Sequence, residues 1–193
     1  MKRVTVYCAS SPKTHPDYLE AATRLGHAIA EAGLTVVYGG GAIGLMGAVA
    51  NAALERGGRV EGVLPRFMFD LEWGHPGLTQ LTLVNDLHER KRLMIDETDA
   101  VVALPGGCGT FEELLEAITW KRLGLYAKPI IIVNTRNYYD PLIAMLDQAV
   151  RERFMNEKHL EMWSVATTVD EVIGKIKSAP EWSHAHRQYA AVR

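Results

Sequence analysis

The sequence predicts an α/β fold: one domain built on a doubly wound parallel sheet. Two patterns carry this reading. Short β-branched or wholly apolar runs alternate along the chain with segments of helical period. Several of those runs are apolar throughout, as strands buried on both faces by helices must be. The length of 193 residues suits a single domain with a sizeable core.

Taken in order, residues 4–8 read as the first strand. Residues 18–32 read as an amphipathic helix with Leu19, Ala22, Leu25, Ile29 and Ala32 on one face. A second strand, 34–38, runs into Gly39-Gly40-Gly41 and a helix of small residues over 45–56. The third strand is 60–64. A looser stretch, 65–77, carries Trp73 and His75 and is a candidate pocket wall. A short strand at 81–84, a charged helix over 87–97 and a fully apolar strand at 100–104 come next. The turn Pro105-Gly106-Gly107-Cys108-Gly109 then leads into a helix over 110–123, an all-apolar strand at 130–133 and a helix over 141–154. A strand near Val165 and a helix over 169–176 end the regular part. This divides the chain into a domain, 1–178, and a polar tail with scattered aromatics, 179–193, expected to fray.

Composition narrows the function. Hydrophobic residues at 48% and charged residues at 23% are ordinary for a globular protein. A formal net charge of -2 offers no bulk attraction to nucleic acid or to an anionic membrane, so neither is an expected partner. Any bound anion must be held locally, by backbone N–H groups or a few placed cations. Cys8 and Cys108 stand far apart and form no disulfide framework. Met1-Lys2-Arg3 leads straight into a strand without a signal-like apolar stretch, and no run has the length of a transmembrane helix. The cytoplasm is the expected compartment.

Two glycine-rich turns follow strands and are expected at the carboxyl edge of the sheet, where such folds bind ligands. Gly39-Gly40-Gly41-Ala42-Ile43-Gly44 contains G-x-G-x-x-G, which invites a dinucleotide reading. However, it follows the second strand rather than the first, and the next strand ends in Leu64-Pro65-Arg66 without a ribose-binding acid. It reads as a nucleotide-contacting loop, the alternative being a tight turn that needs glycine for packing alone. Pro105-Gly106-Gly107-Cys108-Gly109-Thr110 is more specific. Its glycines let backbone N–H groups converge on an anion, and the helix that follows adds favourable partial charge. It lacks the Lys of a Walker loop, so ATP hydrolysis is not implied.

Glu113 admits two readings. Thr110-x-x-Glu113 is a capping box, in which the glutamate bonds back to the cap residue. Beside an anion cradle, a carboxylate turned toward a sugar would instead stabilise an oxocarbenium-like transition state or activate water. Arg90, in His88-Glu89-Arg90-Lys91-Arg92, shares a face with Leu87 and Met94, so it points inward and demands a carboxylate or phosphate partner. Glu89 and Arg92 read as solvated. Cys108 has no base at an obvious spacing and reads as a spacer. His184-x-His186 reads as solvated rather than metal-binding, and His27 and His159 as surface residues. The helix from Phe111 to Trp120 is apolar around much of its circumference, either as core or against a second subunit.

Pro105-Gly106-Gly107-Cys108-Gly109-Thr110-Phe111-Glu112-Glu113 matches the PGGxGTxxE motif of the LOG family, the cytokinin riboside 5′-monophosphate phosphoribohydrolases. Gly39 through Gly47, His88-Glu89-Arg90-Lys91 and Tyr138-Tyr139-Asp140-Pro141 also resemble family segments, and the resemblance runs from about Val4 to Ile176. It implies a Rossmann-like homodimer that hydrolyses N6-modified adenosine monophosphates, and often AMP, to free base and ribose 5-phosphate. The implied catalytic pair is Arg90 and Glu113. The implied phosphate and ribose contacts are Gly106, Gly107, Gly109, Thr110, Ser10, Gly40, Gly41 and Lys91, with no metal and no organic cofactor. The family was long labelled as possible lysine decarboxylases, but no lysine stands where a pyridoxal phosphate would need one. One departure is Ala9, where the family usually has Gly. The alternative from another class is a non-catalytic carrier of a nucleotide or phospho-ligand on the same scaffold. A carrier would need the glycine cradle but not the carboxylate.

Overall fold

The computed structural model describes residues 2–71, 73–96 and 98–189. Seven strands form one sheet, all parallel: β1 (Arg3–Tyr7), β2 (Thr35–Tyr38), β3 (Val60–Pro65), β4 (Gln80–Val84), β5 (Ala100–Ala103), β6 (Ile130–Val133) and β7 (Ser164–Ala166). Their order across the sheet is β4-β3-β2-β1-β5-β6-β7. Helices α1 (Pro16–Glu31), α2 (Gly44–Glu55) and α7 (Val172–Ser178) cover one face. Helices α4 (Leu87–Ile95), α5 (Cys108–Arg122) and α6 (Asp140–Arg151) cover the other, and a single turn, α3 (Arg66–Phe69), follows β3. The doubly wound parallel sheet expected from the apolar runs is the observed fold.

Side-chain alternation along the strands builds two cores. Val4, Val6 and Cys8 of the first strand and its exit share a core with Leu25, Ile29 and Val49, while Tyr7 belongs to the core on the opposite side with Leu114 and Ile118. Each fully buried Val, Leu or Ile contributes about 1.5–3 kcal/mol, which is why β2, β5 and β6 carry no charged residue. The small residues of α2 have a packing cause. A Cβ on Gly26 of α1 would lie 2.4 Å from the Val49 carbonyl oxygen, so the two helices meet almost backbone to backbone.

Local chemistry sets the ends of the elements. Pro16 opens α1 where its missing N–H costs nothing. The Asp86 carboxylate caps α4 by accepting from the Glu89 N–H at 2.8 Å, and Glu89 accepts in return from the Asn85 N–H at 2.9 Å. Several boundaries differ from the sequence reading, among them those of α5 and α4. α5 begins at Cys108, two residues early, because Gly107 supplies the extended cap. α4 ends at Ile95, and Glu97 lies outside the described residues. In the tail, Trp182 is buried and donates its indole N–H to the Lys121 carbonyl at 2.9 Å, and a 3-10 turn spans His184–Tyr189. A large aromatic with a satisfied donor anchors a polar segment that composition alone would leave loose. Residues 190–193 lie outside the described part.

Candidate active site

The strand order reverses between β1 and β5. The chain builds outward from β1 through β2, β3 and β4, then returns to lay β5 on the other side. Loops leaving the two strands diverge there and open a crevice beyond their carboxyl ends. A cavity of about 610 Å³ occupies that place. Cys8, Ala9, Ser10 and Ser11 reach it from β1, Gly39, Gly41, Ala42, Ile43 and Met46 from the β2–α2 turn, and Gly107, Gly109, Thr110 and Glu113 from the β5–α5 turn. Arg90 enters from α4, and Leu64, Met68 and Trp73 close the side next to β3. The cavity is therefore polar toward α5 and apolar toward α3.

Arg90 and Glu113 meet on its wall. Their residues are 8% and 5% exposed, and Arg90 Nη1 donates to Glu113 Oε1 at 2.8 Å. Arg90 Nε donates to the Val63 carbonyl at 3.1 Å, so the guanidinium is held from two sides. Gly39 makes the approach possible, since a Cβ there would sit 2.0 Å from Arg90 Nη2. Burial pushes the Glu113 carboxyl above the ordinary glutamate range, Arg90 pulls it back, and the neighbouring Glu112 adds a smaller upward push. The inward Arg anticipated from its helix face thus has a carboxylate partner.

The capping box does not form. With Cys108 as the first helical residue, Thr110 is third and Glu113 lies a turn further on, out of reach of the cap amide. Thr110 is instead buried at the cavity with Gly107 and Gly109. A Cβ added at Gly107 or Gly109 would meet nothing within 4 Å. No protein neighbour requires glycine at either position, and their bare backbone faces open space at a helix N-terminus. That is the arrangement that receives an anion.

Three residues expected at the site stand outside the cavity lining: Gly40, Gly106 and Lys91. Gly40 has a φ of 78° and packs against Leu64 and Leu81, and its carbonyl accepts from the His75 N–H at 2.9 Å. Gly106 lies under Thr110, whose Oγ1 would be 2.1 Å from an added Cβ. Lys91 is buried and ion-paired with both Glu112 and Glu116. Burial works against its charge, but the two carboxylates outweigh it and raise its pKa.

The candidate pocket wall at 65–77 is divided between Trp73, which is in it, and His75, which is not, and other residues fall elsewhere than the sequence suggested. Trp73, half exposed at 54%, lines the cavity, and its carbonyl accepts from the Ala42 N–H at 3.2 Å. His75 turns away from the cavity to Asn51 at 2.9 Å, and burial lowers its pKa. His159 is no surface residue: it is fully buried, and its Nδ1 accepts from the Asn156 N–H at 3.1 Å to complete a capping box. His186 stacks on Trp182 at 4.4 Å. Among the described residues, no group of three His, Cys, Asp or Glu is placed to hold a metal ion. Cys8 is buried, which raises its thiol pKa, and Cys108 is exposed.

The loop after β6, which leads into the family-like segment Tyr138-Tyr139-Asp140-Pro141, has an unusual backbone. Arg136 and Asn137 both adopt left-handed backbone, with φ of 57° and 59°, at about 1–2 kcal/mol each for residues with a Cβ. Asn134 holds the loop in this shape. Its Oδ1 accepts from the Tyr139 N–H at 2.7 Å, and its Nδ2 donates to Asp140 at 2.7 Å.

The family model described as "Possible lysine decarboxylase" matches residues 46–176. A cytokinin riboside 5′-monophosphate phosphoribohydrolase of Rhodococcoides fascians is 43% identical over 178 residues, 92% of this chain and 90% of that one. The LOG protein of Oryza sativa subsp. japonica, which carries the same enzyme name, is 40% identical over 182 residues, 94% of this chain and 75% of that one. The chain belongs to the LOG family. A solved molybdenum cofactor carrier protein from Chlamydomonas reinhardtii matches with a TM-score of 0.70 at 23% identity, covering 92% of this chain and 97% of that one. At that identity it shares the fold alone.

The LOG motif, residues 105–113, lies wholly on the β5–α5 turn and the start of α5. The departure at Ala9 is accommodated without backbone strain, since the non-glycine residues of positive φ among those described are Arg136, Asn137 and Arg153. The Ala9 backbone ties the two LOG glycine turns together: its N–H donates to the Pro105 carbonyl at 3.3 Å, and its carbonyl accepts from the Met46 N–H at 3.2 Å.

Proposed function

We propose that this LOG-family chain hydrolyses the N-glycosidic bond of adenosine 5′-monophosphate and its N6-modified forms, releasing free base and ribose 5-phosphate. The observation that carries the reading is the buried Arg90–Glu113 pair at 2.8 Å, one helical turn from the bare glycines of the cradle. The N–H groups of Gly107 and Gly109 and the Thr110 hydroxyl hold the 5′-phosphate, with Ser10 and Gly41 across the cavity. Gly40 and Gly106 shape the two turns from behind. Lys91 acts from outside the cavity by neutralising Glu112 and Glu116, which leaves Glu113 as the carboxylate that faces the substrate.

With the phosphate anchored there, the ribose lies against Glu113 and the base against Ile43, Met46, Met68 and Trp73, whose apolar surface suits a hydrophobic N6 substituent. As the C1′–N9 bond lengthens, positive charge develops on the ribose ring and the Glu113 carboxylate stabilises it. Water adds to C1′ and gives a proton to Glu113, while the electron pair of the broken bond leaves with the base, which takes up a proton from solvent as Glu113 returns its own to solvent. Arg90 holds the carboxylate in place and keeps it ionised against its burial.

The donor set does not fit a pyridoxal-dependent decarboxylase, because no lysine stands among the described residues that line the cavity and Lys91 is committed to two glutamates. A carrier would need the cradle but gains nothing from a buried carboxylate facing its ligand. No helix among the described residues is long and apolar enough to cross a membrane. The two free thiols support a reducing compartment such as the cytoplasm.

We also infer a homodimer. Most of the apolar breadth of α5 is core, with Leu114, Ala117 and Ile118 buried, but Leu115, Leu123 and Leu125 stay exposed beside it. Light scattering at micromolar protein would report twice the chain mass, and a fully active monomer would refute this.

The test of the activity is to incubate the protein with AMP and with adenosine and to quantify free adenine. Phosphate binding energy supports catalysis at C1′ as well as affinity, so kcat/KM for AMP exceeds that for adenosine by at least about a hundredfold, or about 2.7 kcal/mol. Equal values, or no adenine from AMP, overturn the reading.

A further inference from the structure

We propose that Tyr138 is a positioning residue for the phosphate cradle, acting through its phenol hydroxyl on the peptide between Gly106 and Gly107; this rests on reading the β5–α5 turn as that cradle. The hydroxyl donates to the Gly106 carbonyl. In a planar trans peptide the carbonyl and the following N–H point in opposite directions. Fixing the Gly106 oxygen toward Tyr138 therefore aims the Gly107 N–H away from Tyr138, and Gly107 lines the cavity. A peptide flanked by two glycines has no Cβ on either side to resist rotation, so without an external hold this plane would turn freely.

The hold is built, and it comes from a different part of the chain. The Tyr138 ring stacks on Phe111 of α5, with centroids 6.2 Å apart and planes at 22°, and Tyr18 meets it edge-on at 5.9 Å. The adjacent Tyr139, fully buried, donates its hydroxyl to the Leu104 carbonyl at 2.7 Å. Two consecutive phenols thus grip the strand exit on either side of Pro105. The left-handed Arg136 and Asn137 immediately precede the two tyrosines. The loop after β6 acts as a clamp that sets the cradle before any ligand arrives, which spares the substrate the cost of ordering two glycines.

The test is Tyr138→Phe, which removes one oxygen and keeps both ring contacts. Calorimetry in a Glu113→Gln background, which slows cleavage of AMP during the titration, compares AMP, ribose 5-phosphate and adenosine and so separates the phosphate from the rest of the ligand. Affinity for AMP and for ribose 5-phosphate falls about tenfold, equal to about 1.4 kcal/mol, and affinity for adenosine is unchanged. An unchanged affinity for the two phosphates, or an equal loss for all three, overturns the proposal. These binding readouts do not depend on turnover, so they stand even if AMP is bound and never cleaved. A second measurement needs no variant: 15N relaxation of the Gly107 amide in the ligand-free protein. A rigid amide supports the clamp, and one that is mobile until AMP binds refutes it.

Discussion

Replacing Glu113 by Gln keeps the size and shape of the side chain and removes its charge. In the structure the carboxylate accepts one bond from Arg90 Nη1 at 2.8 Å, and Arg90 keeps a second, independent bond to the Val63 carbonyl. The Gln amide oxygen can accept the same bond. Charge-assisted bonds are about twice as strong as neutral ones, so the loss is about 1–1.5 kcal/mol, well short of the 3–5 kcal/mol (roughly) for deleting one partner of a buried pair. Removing a carboxylate whose pKa burial has raised offsets part of this. A net cost of about 1 kcal/mol lowers Tm by about 2–4 °C in a domain of this size. Catalysis responds on another scale: losing a group that faces developing charge costs about 10²–10³ in kcat. The assay pairs Tm and AMP titration with the rate of adenine release. Wild-type activity also falls as pH drops through the Glu113 pKa, since protonation removes the working carboxylate. Because burial raises that pKa, the acid limb lies above the ordinary glutamate range, and the residual activity of the variant lacks it. A strongly destabilised variant with near-normal turnover would refute the catalytic role.

Gly109→Ala inserts a methyl where the protein has nothing within 4 Å, in the first turn of α5. Stability holds or rises, by up to about 1 kcal/mol of helix propensity, while kcat/KM for AMP falls at least about tenfold; an unchanged rate would remove this backbone from the phosphate site. The buried Lys121, whose amine donates to the Lys128 carbonyl at 2.9 Å, has its pKa lowered by burial to about 8. Between that value and about 10.4 the unfolded chain binds more protons than the folded one, so stability rises with pH there, by about 2 kcal/mol from about pH 7 to about pH 9.5. Chemical denaturation shows this gain in the wild type and not in Lys121→Met, and parallel pH profiles would disprove it.

The fold was legible because burial on both faces leaves a trace in composition: Ala100–Ala103 and Ile130–Val133 carry no polar side chain and are fully buried. The inward Arg90 was legible from its neighbours Leu87 and Met94, although Leu87 is itself 45% exposed and only Met94 is core. What stayed hidden depends on contacts distant in sequence. Nothing near position 182 says that Trp182 finds a carbonyl on α5, and nothing near position 138 says that a phenol meets Gly106. The capping box failed for a local reason: sequence spacing cannot tell whether a Gly at the turn or a Thr three residues later is the cap. Met46 and Met68, which line the cavity, carry no signal at all, since methionine is ordinary core material.

The two glycine turns look alike in sequence, yet they use glycine for opposite ends. In the first, the protein itself fills the space a side chain would need. A Cβ at Gly39 would strike Arg90, one at Gly41 would lie 2.9 Å from Met46 Sδ, and one at Gly44 would lie 2.5 Å from the Ser10 backbone, with φ at 63° besides. G-x-G-x-x-G here is a packing pattern that lets a guanidinium and the β1 exit loop close against the β2–α2 turn, and it needs no dinucleotide to explain it. In the second, Gly107 and Gly109 face space that no protein atom claims within 4 Å of an added Cβ. Glycine costs conformational entropy wherever it stands in or beside a helix, and at these two positions no packing within the protein offsets it. The first turn brings Arg90 to Glu113. On the proposed reading, the second leaves room for the anion that places a substrate against them.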